Sequence, residues 1–129
     1  MPPDTIRLVT PPGRAWHPVV RLVLGGVADR LGLGFEELDD LQLAVERLLL
    51  ESGDQETVAL SLEIVDHGVR LRVGPLRERA IAVALQAEPE PGELNLRRIL
   101  ETVVDSFGVE EAEDGELVVR LEKLVKGRQ

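Results

Sequence analysis

The chain has 129 residues, of which 43% are apolar, 30% charged and only 2% aromatic, and its formal net charge is −9. This size suits one domain spanning residues 1–129, with a core of Leu and Val. The chain has no cysteine, which excludes disulfides and thiolate metal sites. No apolar run approaches the roughly 18 residues of a membrane span, and the N-terminus lacks a signal-peptide pattern. We therefore expect a cytoplasmic protein that binds neither membranes nor nucleic acid directly and whose charge suits a basic protein surface.

The N-terminal part predicts a strand followed by a helix. Residues 5–10 alternate apolar and polar side chains, which indicates a strand that the following Pro-Pro-Gly ends. Pro18 suits the first turn of a helix whose apolar stripe extends to Leu31. Gly25 and Gly26 lie in the middle of this helix, where each Gly costs about 1 kcal/mol relative to Ala. Close packing against a neighbouring backbone is the favoured explanation, and a functional hinge is the alternative.

The stretch over residues 39–52 predicts the best-defined helix. Its core-facing stripe consists of Leu38, Leu41, Ala44, Val45, Leu48 and Leu49. Leu43 and Leu50 lie outside the stripe and indicate a second packing surface. Arg47 and Glu51 are spaced i,i+4, so we expect them to pair with each other. The Ser-Gly pair at the end of the stretch favours a left-handed glycine cap.

A β-hairpin and an ambiguous segment come next. Residues 57–65 and 69–73 alternate strictly and flank an Asp-His-Gly turn, which predicts two antiparallel strands. Residues 76–87 alternate like a strand but also carry a helical stripe. The alanine content and the preceding proline favour a helix there.

The C-terminal part predicts a second helix–hairpin unit. Residues 88–92 form an acidic, proline-rich linker. Residues 94–107 predict a helix that buries Phe107 at its end. Residues 109–112 and 116–125 then flank an Asp-Gly turn, the strongest hairpin signal in the chain.

The order of elements is strand, helix, helix, strand, strand, uncertain segment, helix, strand, strand. Strands that follow one another with short turns form antiparallel sheets, and the helices have to cover one face of such a sheet. We therefore expect an α+β fold: a two-layer α/β sandwich with a mostly antiparallel sheet and the helices on one face.

Two strings of this sequence resemble the anti-sigma-factor serine/threonine kinases of bacterial partner-switching systems, in the histidine-kinase-like ATPase (GHKL) superfamily. Residues 19–45, VVRLVLGGVADRLGLGFEELDDLQLAV, are similar to the family's first two helices, including the Leu-Ala-Val before its nucleotide-binding positions. Residues 106–123, SFGVEEAEDGELVVRLEK, are similar to its closing hairpin. The resemblance covers nearly the whole chain and implies the histidine-kinase-like ATPase fold.

The positions that carry the family's chemistry differ here. The resemblance implies a Glu general base just after Leu-Ala-Val and, four residues on, an Asn that holds magnesium. Those positions are occupied by Arg47 and Glu51, and an Arg has no basic form near neutral pH. A register shifted by one places Glu46 at the base position but Leu50 at the magnesium position. Neither register keeps both groups, so the resemblance implies no catalytic residue.

The adenine-binding motif is also altered. The family's Asp-x-Gly-x-Gly corresponds to RVGPLRER, residues 72–79, which retains Gly74 but has no acidic residue before it. The phosphate-binding turn corresponds to GELNLRR, residues 92–98. Gly92, Asn95 and Arg97 are the residues there that could still contact an anion weakly. Glu51 could contact such an anion through a bound metal ion.

The resemblance and its altered motifs together predict a regulatory protein-binding module related to anti-sigma factors, without nucleotide binding, kinase activity, cofactor or metal. The alternative is an enzyme, an ATP- and magnesium-dependent protein serine kinase acting on an anti-anti-sigma factor. A structural or dimerisation domain without a switching role is a third hypothesis. The expected partner is a sigma factor or an anti-anti-sigma factor, and a homodimer is left open.

The entry to the first helix is the candidate partner surface. Trp16, the chain's only Trp, stands beside His17 and ahead of Arg21, and Trp and Arg are typical of interface hot spots. In the family that the chain resembles, the first helix lies near the partner-binding surface. The alternative is that Trp16 covers the end of the hydrophobic core. His17 and His67 have no Ser or Cys nucleophile near them in sequence, which favours ordinary structural roles for both.

Overall fold

The computed structural model describes residues 4–77, 79–88 and 90–125. Within these ranges the chain forms five strands and four α-helices. Their order is β1 (Thr5–Thr10), α1 (His17–Leu31), α2 (Phe35–Glu51), β2 (Val58–Val65), β3 (Gly68–Leu76), α3 (Ala80–Gln86), α4 (Leu96–Val103), β4 (Ser106–Glu111) and β5 (Leu117–Leu124). Two 3-10 turns, Arg14–Trp16 and Glu113–Gly115, precede α1 and β5.

The strands form one sheet in the order β1-β2-β3-β5-β4, and every neighbouring pair is antiparallel. Sheet residues that face the helices are buried, among them Leu60, Leu71 and Leu121. The predicted stripes of α1 and α2 cover this face, and α4 adds Leu100 to the same core. The predicted α+β, two-layer fold with an antiparallel sheet is thus confirmed.

The other face of the sheet carries charges instead of a second layer. Arg70 donates to Glu63 and to Glu122, each at 2.9 Å, and Arg72 donates to Glu110 at 3.0 Å. The charged side chains on adjacent strands thus form hydrogen-bonded ion pairs with one another at the surface. None of the helices in the described ranges is long and apolar enough to cross a bilayer.

The predicted helix over residues 94–107 is shorter than expected. The α4 helix ends at Val103, and Phe107 belongs to β4, where it pairs with Leu121 of β5. Val104 is already extended, and the Asp105 amide donates to the Glu122 carbonyl. Pairing with β5 therefore overrides the helical stripe from Val104 onward. In the ambiguous segment the favoured helix is present, as α3, whereas its first residue, Leu76, ends β3.

The explanation of Gly25 and Gly26 by close packing is wrong. A Cβ atom built on either glycine would meet no heavy atom within 4 Å outside its own helix backbone. Leu43 and Leu50, expected to pack on a second surface, are both exposed. The outer sides of α1 and α2 thus carry features that packing within the described residues does not require.

Candidate functional site

The positions that the resemblance assigns to the general base and the magnesium ligand lie on the row of α2 that also contains Asp40, whose carboxylate is linked through Lys123 to the end of α4. Arg47 and Glu51 are close there, with Arg47 Nη2 3.5 Å from Glu51 Oε1. This confirms the predicted i,i+4 pair. The guanidinium is a permanent cation that lies beside the Glu51 carboxylate in a partly exposed pair. Arg47 Nε is also buried and has no hydrogen-bond partner among the described residues.

Glu46, the alternative base position, faces α1 rather than α4. Its carboxylate accepts two hydrogen bonds from Arg21, from Nε at 2.6 Å and from Nη2 at 3.0 Å. These hydrogen bonds hold the pKa of Glu46 below its ordinary value, against the opposing effect of partial burial. A general base works best with a pKa near the working pH, so this pairing makes Glu46 a poor proton acceptor.

The turn after β3 is held in place by hydrogen bonds from the side chain of Gln55, for which the sequence predicts no role. Gln55 Nε2 donates to the carbonyl oxygens of Thr57, at 3.2 Å, and Pro75, at 2.9 Å, while its Oε1 accepts from the Arg77 amide at 2.9 Å. A single loop Gln gives no sequence signal for such a role. Gly74 is buried in β3, where a Cβ atom would lie 2.9 Å from the Leu117 carbonyl oxygen. The sheet itself therefore requires a glycine at this position.

The residues proposed for weak anion contact mostly serve the connection between α3 and α4. The Asn95 side chain caps α4 by accepting a hydrogen bond from the Arg98 amide at 2.9 Å. Arg97 donates to Glu101 at 3.1 Å and to the carbonyl oxygens of Gln86 and Ala87 at 3.3 and 3.4 Å. Gly92 adopts a positive φ of 80° in the turn. The polar groups of this stretch thus bind the chain's own backbone.

A buried lysine adds a second link on the same side of α2. Lys123 Nζ lies 3.2 Å from Asp40 Oδ2 of α2 and donates to the Val103 carbonyl at the end of α4, at 2.8 Å. The alternation of β5, which places Leu117, Val119 and Leu121 on the core face, predicts that Lys123 faces the core as well. The alternation is therefore enough to predict a core-facing Lys at this position from the sequence.

The three residues at the entry to α1 differ in their accessibility. Trp16 is 47% exposed and is not part of the hydrophobic core, which speaks against its covering the core. His17 is buried, and its Nε2 lies 3.2 Å from the Pro12 carbonyl oxygen. Arg21 remains largely accessible beside Glu46. Within the described ranges, no group of three or more His, Cys, Asp or Glu side chains could hold a metal ion.

No protein-family model matches the chain, and no curated protein matches it. Among solved structures, the crystal structure of the RsbU and RsbW domains of Rv1364c from Mycobacterium tuberculosis is similar, with a TM-score of 0.63 and 14% identity over 95% of this chain. The match covers 32% of that chain, so the present chain spans about a third of its length. A likeness at this identity establishes the fold, which is that of a structure containing an RsbW domain.

Proposed function

We propose that the protein is a regulatory protein-binding module on a histidine-kinase-like ATPase scaffold, and that it has no nucleotide-dependent activity. One observation carries the proposal: the side chains at the base and magnesium positions are paired with each other or with a neighbouring helix. Glu46 is held by Arg21 at 2.6 Å, and Glu51 is 3.5 Å from Arg47. The fold shared with a structure of RsbU and RsbW domains supports a role in partner switching.

The electrostatics of the α2 side facing α4 support the loss of magnesium binding. A magnesium ion would have to compete with Arg47 for the Glu51 carboxylate, and it prefers octahedral oxygen ligands. Asn95 and Arg97 would have to give up hydrogen bonds within the chain before contacting a phosphate. Each lost hydrogen bond to a charged group costs about 1.5–3 kcal/mol, so a few such losses remove micromolar affinity.

One observation favours nucleotide binding, which the alternative function of an ATP-dependent protein serine kinase requires. The buried Nε of Arg47 lacks a partner among the described residues and could donate to an anion. Calorimetric titration of the chain with Mg-ATP tests both functions at once. We expect no binding heat at micromolar ATP. Binding in the low-micromolar range that requires magnesium would overturn the proposal and favour the kinase.

The candidate partner surface lies around Trp16 and Arg21, and His17 serves it indirectly by fixing the entry to α1. A purified sigma factor or anti-anti-sigma factor from the same genome is the partner to test, by titration against the labelled chain. We expect Trp16→Ala to weaken binding at least about tenfold, as a hot-spot residue does. Val83→Ala, an exposed apolar residue on α3, is the matched control and should leave binding unchanged.

The same Trp16→Ala variant separates an interface role from a core role. Core Trp-to-Ala changes cost about 3–5 kcal/mol, whereas a half-exposed Trp outside the core should cost much less. Urea unfolding measures this difference. A loss of several kcal/mol, or unchanged affinity for every partner of this class, would refute the assignment of this surface.

A further inference from the structure

An open groove separates the C-terminal half of α1 from the N-terminal half of α2. Its volume is about 340 Å³, which is within the range of ligand-binding clefts. The lining is mostly apolar and consists of Gly25, Ala28, Asp29, Leu33, Gly34, Phe35 and Leu38. The groove lies at the turn that joins the two helices, whereas Trp16 stands at the opposite end of α1.

Gly25 keeps the floor of this groove open. A Cβ atom at position 25 would meet nothing within 4 Å, so no neighbour in the described residues fills the space that the missing side chain leaves. A glycine in the middle of a helix destabilises it relative to alanine. The fold bears this cost without any packing gain at Gly25 and equally at Gly26, but only at Gly25 does the unfilled space open into the groove.

The rim of the groove exposes a large aromatic side chain. Phe35, at the start of α2, lines the groove and is 88% exposed. Leu22, which is 77% exposed, lies one helical turn before Gly25 but does not line the groove. An aromatic side chain buries about 150–250 Å² when covered. Exposed apolar groups clustered around a concave site are typical of protein–protein contacts.

The charges around the groove are negative. Asp29 lines it, and Glu36 and Asp39 follow on the first turns of α2. Asp29 and Glu36 form no ion pair or side-chain hydrogen bond with any residue in the described ranges, whereas Asp39 is close enough to Arg21 to help raise the pKa of that guanidinium. No Lys or Arg is among the lining residues. A ligand that fits therefore combines an apolar group with positive charge, and the acidic rim opposes anionic lipid surfaces.

We propose that this groove binds a basic amphipathic helix of a partner protein. An apolar side chain of that helix fills the space above Gly25 and contacts Phe35, while flanking Lys or Arg side chains pair with Asp29 and Glu36. This is the helix-in-groove mode of recognition. The inference rests on the proposed function, since it specifies the chemistry of the protein partner.

A model helix tests the groove without a known partner. The probe is a synthetic helical peptide of Leu and Lys with one apolar face, and its Leu/Glu counterpart is the charge control. We expect the Leu/Lys peptide to shift the amide NMR signals of Gly25, Ala28 and Phe35 in the full chain, and the Leu/Glu peptide to shift none of them. Binding of both peptides, or shifts elsewhere only, would overturn the proposal.

The two adjacent glycines provide matched variants. Gly25→Leu fills the groove, whereas Gly26→Leu adds the same side chain at a position that does not line it. Both substitutions raise helix propensity, so neither should unfold the chain. We expect Gly25→Leu to weaken peptide binding about tenfold or more and Gly26→Leu to change it less than about twofold. Equal effects would overturn the proposal.

Two further measurements distinguish a partner helix from other possible occupants of the groove. Groove signals that shift with protein concentration in the absence of peptide would assign the groove to a second copy of this chain and overturn the proposal. Titration of the sigma-factor or anti-anti-sigma-factor partner against Gly25→Leu distinguishes the groove from the function. If Gly25→Leu leaves partner binding unchanged, the groove is not the binding site, and the proposed function stands. If no partner of this class binds, the proposed function is refuted. The peptide titration then still decides whether the groove binds a basic helix.

Discussion

The two sides of helix α2 differ in how their side chains are used. On the side facing α4, Lys123 links Asp40 to the end of α4, and Arg47 pairs with Glu51. At the N-terminal end of α2, next to the turn from α1, Phe35 is exposed and an open groove borders Gly25. On the first side most polar groups are paired with one another, apart from Arg47 Nε, whereas on the second side an exposed aromatic side chain borders an open groove.

This contrast indicates where binding capacity remains. A nucleotide needs free hydrogen-bond donors and a free metal ligand, and most of the polar groups facing α4 are already engaged. A partner helix needs exposed apolar area and a complementary charge, and the groove provides both. We therefore expect changes facing α4 to alter stability and changes at the groove to alter binding.

The largest effect is expected at Lys123. Lys123→Ala removes a buried ion pair and the donor to the Val103 carbonyl. Breaking a buried pair costs about 3–5 kcal/mol, but Asp40 is partly exposed and can regain water, so we expect a loss of about 2–3 kcal/mol in urea unfolding. Lys123→Met restores packing without charge and should lose less. A loss of under about 0.5 kcal/mol for Lys123→Ala would contradict the inference that the polar contacts on this side of α2 stabilise the fold.

A smaller loss is expected at Asn95. Asn95→Ala removes the side-chain cap of α4 and leaves the Arg98 amide without its acceptor. Such N-cap replacements cost about 1 kcal/mol. Asn95→Asp keeps an acceptor and serves as the control in the same unfolding measurement. If Mg-ATP titration of Asn95→Ala showed a lost affinity instead, Asn95 would be a ligand-binding residue and the comparison would fail.

Most of the fold could be predicted because periodicity records burial. The stripe of α2 and the alternation of β2 and β5 follow directly from the spacing of Leu and Val. The end of α4 could not be predicted, because residues 104–107 continue a helical pattern and only pairing with β5 makes them extended. Intrinsic propensity is weak enough for tertiary contacts to override it.

The site could be predicted only in part. The Arg47–Glu51 pair follows from helical spacing, but Arg21 and Glu46 are 25 residues apart and meet only because α1 packs on α2. The groove could not be predicted either. The sequence reveals two glycines in a helix, whereas whether a neighbour fills the space beside them depends on the tertiary structure.

The glycines also give a test by stabilisation. Gly25→Ala and Gly26→Ala should each raise the free energy of unfolding by about 0.5–1 kcal/mol, because a Cβ atom meets nothing and the unfolded chain loses freedom. Chemical denaturation of the two variants measures the gain. Destabilisation by Gly25→Ala would mean that the space is occupied in the folded chain, and the groove would then not be open.

The smallest effect is expected from Glu46 and depends on pH. Because Arg21 lowers the pKa of Glu46 in the folded state, the pair stabilises the fold fully above the ordinary Glu pKa of about 4.3. This contribution is lost as pH falls through the lowered value. The urea midpoint of Glu46→Gln should therefore lie below that of the unmodified chain at pH ~7, and the difference should shrink as pH falls below the ordinary Glu pKa of about 4.3.

Glu36→Gln is the matched control on the same helix, since Glu36 has no ion-pair partner among the described residues. Its midpoint should stay close to that of the unmodified chain at both pH values. Glu110 and Glu122, whose pKa values are also lowered by neighbouring side chains, remain in both variants and cancel in the comparison. If the Glu46→Gln difference persisted at low pH, the contribution of Glu46 would come from packing rather than from its charge. The Arg21 pair would then not support the proposed loss of a general base at this position.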